Sequence, residues 1–133
     1  GGGTVGCETA ELLGTYGNKV TIFEMTDVIA RGLESANLMD LLEVFEEMEV
    51  KILRNSKVTE ISQDLVVTYE REGERKEESF DFVVLALGQK SDCDELVQSL
   101  EVSEIEYKVI GDAANPSDFQ NATTTAYFAA LDA

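Results

Sequence analysis

The chain opens on GGGTVGCETAELL, in which Gly1, Gly3 and Gly6 stand in the spacing G-x-G-x-x-G. No other feature of the 133 residues constrains the fold as much. A first glycine allows a tight turn, a second lets backbone approach a pyrophosphate, and a third lets a helix pack close to a strand. The helix after such a loop presents free N–H groups and the positive end of its dipole, which together attract anions. Glycine-rich turns are common, so the triplet gains its meaning from the residues after it. Apolar residues to about Tyr16 suit a helix closed by Gly17-Asn18, and the β-branched, aromatic run KVTIFE then ends in Glu24. An acidic side chain about twenty residues beyond the loop is placed to grip the ribose hydroxyls of a dinucleotide. The plainer alternative is a strand-end carboxylate on an acidic chain. Glu24 would repel a 2′-phosphate, and Met25, Thr26 and Asp27 bring no positive charge, with Arg31 the nearby cation. NADH is therefore expected in preference to NADPH.

Further along, Leu38, Leu41, Leu42, Phe45 and Met48 predict an amphipathic helix whose acidic face carries Glu43, Glu46, Glu47 and Glu49. VKILRN and KVTEIS read as short strands broken at Asn55-Ser56. LVVTYEREGERKEESFDFVVLALG reads as a hairpin turning at Gly73, its second arm running into FVVLALG. A weak helical pattern covers Asp94 to Leu100, and EYKVIGDAANP reads as a strand ending at Gly111-Asp112. A last helix runs from Ser117, its N-cap, to about Leu131. The order predicts an α/β fold, a Rossmann-like parallel sheet with an antiparallel β-meander. A boundary is expected near Glu106, between a nucleotide-binding domain (1–106) and a return segment of a second domain (107–133). A loop of this kind ordinarily comes after a buried strand, so the βαβ unit is expected to have its first strand truncated, in a piece of a longer polypeptide. Losing that strand removes about 1.5–3 kcal/mol per large apolar side chain. The fragment is therefore expected to be destabilised, or to fill the gap by association, as in a homo-oligomer.

Charge and composition exclude several classes. Ten basic against 27 acidic residues give a net charge of −17, which argues against nucleic acid or an anionic membrane as partner. No stretch approaches the roughly 18 apolar residues of a membrane span. Histidine is absent, and the two cysteines, Cys7 and Cys93, form no cluster. This argues against a structural zinc site and excludes Ser-His or Cys-His catalysis, and a reduced, cytoplasmic setting is expected.

GGGTVGCETAELL joined to VTIFEM, with VVLALG (83–88), VIGDA (109–113) and Pro116, resembles the pyridine-nucleotide-binding segment of the two-dinucleotide-domain flavoprotein reductases. Within them the chain is most similar to the old-yellow-enzyme-like NADH:flavin oxidoreductases, the group of dienoyl-CoA reductase, enoate reductases and trimethylamine dehydrogenase. The resemblance implies that Gly1, Gly3 and Gly6 take the NADH pyrophosphate and Glu24 the adenosine ribose. It puts Glu8 on the first helical turn toward the nicotinamide, and Gly88 at the turn where the chain leaves the NADH domain. Asp112 then accepts a hydrogen bond from the ribityl chain of FAD. A helix-dipole carboxylate and a turn aspartate are the simpler readings of Glu8 and Asp112. In the resembled group electrons pass on through an iron–sulfur cluster to FMN in a barrel that reduces an activated alkene. None of those later residues is in this chain, so the fragment alone is expected to be inactive. The chain departs from the pattern at Ala126, where a glycine is usual, after Gly88, where Arg-Pro is often seen, and in lacking a Cys-x4-Cys redox pair. A shorter NADH oxidase or ferredoxin reductase and a structural ADP-binding module stay open as alternatives. A methyltransferase shares the glycine loop and the acidic strand tip, but does not account for ALG and IGD together.

Overall fold

The computed structural model describes residues 1–132. They form two compact units, Gly1–Gly88 and the residues from Gln89 on. In the first unit, helix α1 (Thr4–Thr15) leads to strand β1 (Thr21–Phe23), helix α2 (Ser35–Glu47) and strand β2 (Lys51–Leu53). Strands β1 and β2 pair in parallel, with Ile22 opposite Ile52. The antiparallel meander β3 (Ser56–Ile61), β4 (Val66–Arg71) and β5 (Glu74–Ser79) comes next, with β4 in the middle. This is the expected mixture of a parallel sheet with an antiparallel three-stranded one.

The core of this unit is local and dense. Cys7 and Ala10 of α1 meet Ile22 of β1, Ile29 and Ala30 of the loop after it, and Phe45 of α2. Leu38, Leu41 and Leu42 pack around them from the predicted face of α2. Met48, the last member of that stripe, sits over Gly14 of α1, where a Cβ would lie 2.8 Å from its Sδ. Glu43, Glu46, Glu47 and Glu49 are all exposed.

The meander is joined to β1 through side chains and backbone. Phe23 stacks edge-on against Tyr69 and Phe80, with ring centroids 4.9 and 5.8 Å away. The Ser56 amide donates to the Glu24 carbonyl at 2.8 Å. Buried Tyr69 donates its hydroxyl to Glu78 at 2.9 Å, and Lys51 of β2 reaches the same carboxylate at 2.8 Å. The β4–β5 turn is Glu72-Gly73, both at positive φ (56° and 78°), the geometry of a two-residue hairpin and the reason glycine stands there.

Three sequence expectations need correction. The hairpin ladder ends at Ser79, and FVVLALG joins no strand. Apolar β-formers need a free hydrogen-bonding edge, and this run instead lies against the glycine loop, where Ala86 crowds Gly1 and Gly6. The region 106–116 likewise contains no strand; the four-residue turn α4 (Gly111–Ala114) stands there. Among the described residues, the second unit has only helices, α3 (Asp94–Val102), α4 and α5 (Phe119–Leu131), so an extended segment has nothing to pair with. Finally, the N-cap of α5 is Asp118, whose carboxylate accepts from the Asn121 amide at 2.7 Å, and not Ser117. No helix among the described residues is long and apolar enough to cross a membrane.

Candidate functional site

The site in the first unit is built where the chain turns into α1. Gly3 is the N-cap, with extended backbone (φ −69°, ψ 178°). No side chain caps α1, and its first turn carries no acidic residue. The orphan N–H groups there are left to a ligand or to water. Gly3 is exposed, and a Cβ on it would meet nothing within 4 Å, so the loop is open on that side. Gly1 and Gly6 behave oppositely. A Cβ on Gly6 would collide with the Gly1 carbonyl, and one on Gly1 with the Ala86 carbonyl. The loop is therefore closed tightly from within and open at Gly3.

Gly2, which the motif leaves unassigned, is the buried hub. Its amide donates to Glu24 Oε2 at 2.9 Å, and its carbonyl accepts from the Ala30 amide at 2.6 Å and from the Cys7 thiol at 3.4 Å. The sequence signal for it was the run of three glycines where the motif needs two. Glu24 stands directly after β1, half-buried, with its backbone amide bonded to the Leu53 carbonyl at 2.9 Å. Its Oε1 accepts both the amide and the hydroxyl of Thr26, each at 2.8 Å. Burial pushes the carboxyl up, but the bonds from the Thr26 amide, the Gly2 amide and the Thr26 hydroxyl outweigh it and hold the group below the usual glutamate range. Burial also pushes the Cys7 thiol up, so this cysteine is a core residue and not a nucleophile.

The arrangement suits a dinucleotide phosphate and ribose: an uncapped helix N-terminus, an open glycine and an oriented carboxylate. Glu8 is the fifth residue of α1, just past the first turn, and is exposed. It borders a cavity of about 320 Å³ with Cys7, Ala30, Leu33 and Leu41. Gly88 closes the unit, exposed and at φ +81°.

Asp112 belongs to the other unit. It lies in α4, exposed, and its Oδ1 accepts from the Ser117 amide at 3.2 Å. With Gln89, Lys90, Cys93 and Pro116 it lines a cavity of about 470 Å³. Gly111 is buried and donates its amide to Thr125 Oγ1 of α5 at 3.0 Å. The Ser91 hydroxyl and the Cys93 thiol both donate to the Ala113 carbonyl, the latter at 3.2 Å. Ala126, the departure from the glycine pattern, is half-buried on α5. Among the described residues, no group of three or more Cys, Asp or Glu side chains could hold a metal ion.

Residues 1–123 match the sequence profile of the pyridine nucleotide-disulphide oxidoreductases, and the chain belongs to that family. It is 37% identical over 127 residues to an NADH oxidase of Thermoanaerobacter brockii, covering 96% of this chain and 20% of that protein. It is 36% identical over 131 residues to a bilirubin reductase of Mediterraneibacter gnavus, covering 98% of this chain and 20% of that protein. Among solved structures, 2-naphthoyl-CoA reductase in complex with 2-naphthoyl-CoA superposes with a TM-score of 0.75 at 26% identity, over 96% of this chain and 19% of that one. The likeness bears out the Rossmann-like fold. The chain spans about a fifth of the length of the curated relatives it matches.

Proposed function

We propose that this member of the pyridine nucleotide-disulphide oxidoreductase family is the NADH-binding part of a longer flavin-dependent oxidoreductase. The observation that carries the reading is the Glu24 carboxylate, held against the Gly2 amide beside an uncapped helix N-terminus. When bound, NADH and FAD supply the hydride chemistry; the chain supplies placement. The first N–H groups of α1 hold the pyrophosphate, with Gly3 giving close backbone approach and Gly1 and Gly6 keeping the turn tight. Glu24 takes a ribose hydroxyl and disfavours a 2′-phosphate. Glu8 faces the nicotinamide end, and Gly88 is the exit from the NADH domain. Residues 107–133 return to the FAD domain, where Asp112 accepts from the flavin's ribityl chain.

The same reading makes the parent an old-yellow-enzyme-like NADH:flavin oxidoreductase that reduces an activated alkene, with FMN and an iron–sulfur cluster held outside this chain. The glycine loop with Cys7-Glu8 supports it, as do the relatives named for reducing bilirubin and 2-naphthoyl-CoA. A shorter NADH oxidase is the second reading; the 37% identity to an NADH oxidase supports that activity but not the shorter length, since this chain covers only 20% of that protein. The test is anaerobic mixing of the parent protein with NADH and with NADPH while flavin absorbance is followed. NADH is expected to bleach the flavin, with NADPH at least about tenfold less effective. Equal efficiency would overturn the cofactor assignment, and no bleaching with either would turn the site into a structural nucleotide module. Subsequent reoxidation by an enoate separates the alkene reductase from the oxidase.

A further inference from the structure

The open acceptor capacity of Glu24 depends on a residue that carries no charge and lies outside the glycine motif. A carboxylate has about four lone-pair positions. Oε1 already receives two donors from Thr26, and Oε2 receives one from Gly2. One acceptor position is left, on Oε2, the oxygen anchored to the glycine loop. We infer that Thr26 is a positioning residue: by filling Oε1 it fixes the carboxylate so that a single ribose hydroxyl is received at Oε2.

The Thr26 hydroxyl is itself held in place. Its oxygen accepts from the Val28 amide at 3.4 Å, and the Val28 carbonyl is the other acceptor within reach, at 3.1 Å. An ionised Glu24 wins that proton because a charge-assisted bond is stronger than a neutral one. Once Glu24 is protonated, the hydroxyl can turn to Val28 and the carboxyl loses one tether. The buried Cys7 thiol feels the Glu24 charge.

The inference rests on the reading that Glu24 grips NADH, and the experiment separates the two. NADH dissociation constants are measured by fluorescence titration across pH in the parent flavoprotein and its Thr26→Val, Thr26→Ser and Glu24→Gln variants. Thr26→Val keeps the backbone amide and the branched shape but removes the hydroxyl. It is expected to weaken NADH binding about tenfold, on the scale of one charge-assisted hydrogen bond, and to move the acid limb of binding to higher pH. Thr26→Ser is expected to restore both. If Glu24→Gln binds NADH like the wild type, the ribose reading fails. If Glu24→Gln weakens binding while Thr26→Val changes neither affinity nor the acid limb, Thr26 has no positioning role. Should Thr26→Val not fold, Thr26→Ser decides: a shifted acid limb there, with the hydroxyl present, overturns the inference.

Discussion

The two acidic positions singled out from the sequence, Glu24 and Asp112, end up in different physical circumstances. Glu24 is half-buried and takes three donors, from Gly2 and Thr26, in a loop tied by Gly2 to Ala30 and by Ser56 to the meander. Asp112 is exposed, on a four-residue turn, and takes one long donor from Ser117. A carboxylate clamped by its own unit is oriented before any ligand arrives, whereas one with a single local bond must be ordered when the ligand binds. Preorganisation of that kind lowers the ordering cost of binding.

Breaking the clamped site has the largest expected effect. Gly6→Val places a side chain into the Gly1 carbonyl, so the loop must move. Overpacking of this sort costs about 1–3 kcal/mol, and NADH reduction of flavin should fall at least about a hundredfold, a loss near 2.7 kcal/mol. A melting curve beside stopped-flow reduction measures both. Gly3→Ala sharpens the contrast, because its Cβ has open space and its backbone suits alanine. Its stability should stay within about 0.5 kcal/mol of the wild type, while NADH binding weakens. An unaltered dissociation constant would show that the open face of Gly3 is not where phosphate approaches.

Acidification should have a smaller effect. Because Glu24 titrates below its ordinary value of 4.5 when folded, its contribution to stability is present above that pH and is lost as pH falls through the lowered folded value. Glu78, lowered chiefly by its bond from Lys51, behaves the same way. Melting temperature should therefore drop below about pH 4.5, and Glu24→Gln and Glu78→Gln should each flatten part of that drop. A Glu24→Gln profile with the wild-type slope would mean that its bonds add nothing to stability.

Asp112→Ala should have the smallest effect on the fold. An exposed residue with one 3.2 Å bond falls within the roughly ±0.5 kcal/mol usual for surface substitutions. Loss of FAD on gel filtration, with the FAD-free variant melting like FAD-free wild type, is the outcome that fits its proposed role. A clear drop in the melting temperature of the FAD-free variant would instead make it a turn-stabilising aspartate.

The glycine spacing, the apolar face of α2 and the Glu72-Gly73 turn depend on neighbours a few residues away, so periodicity and backbone preference were sufficient to find them. The turn of the glycine loop into α1 was legible for the same reason. Thr26 was not, since nothing in its spacing says that a carboxylate two residues back will receive its amide. For Gly2 the extra glycine marks the position but not the carboxylate about twenty residues on that its amide meets. ERKEES (74–79) is highly charged yet forms β5, as the hairpin reading expected, because the tight turn hands it an edge of β4. The limit shows where that arm runs on. FVVLALG is rich in strand-formers, yet it joins no ladder among the described residues, and Phe82 and Leu87 stay 86% and 78% exposed. Propensity is a property of the segment, whereas a ladder needs a partner. For this chain, local sequence determined which residues can turn, coil or approach a phosphate. Tertiary structure decided which of them found a hydrogen-bonding neighbour, and so which carboxylate is held by three donors.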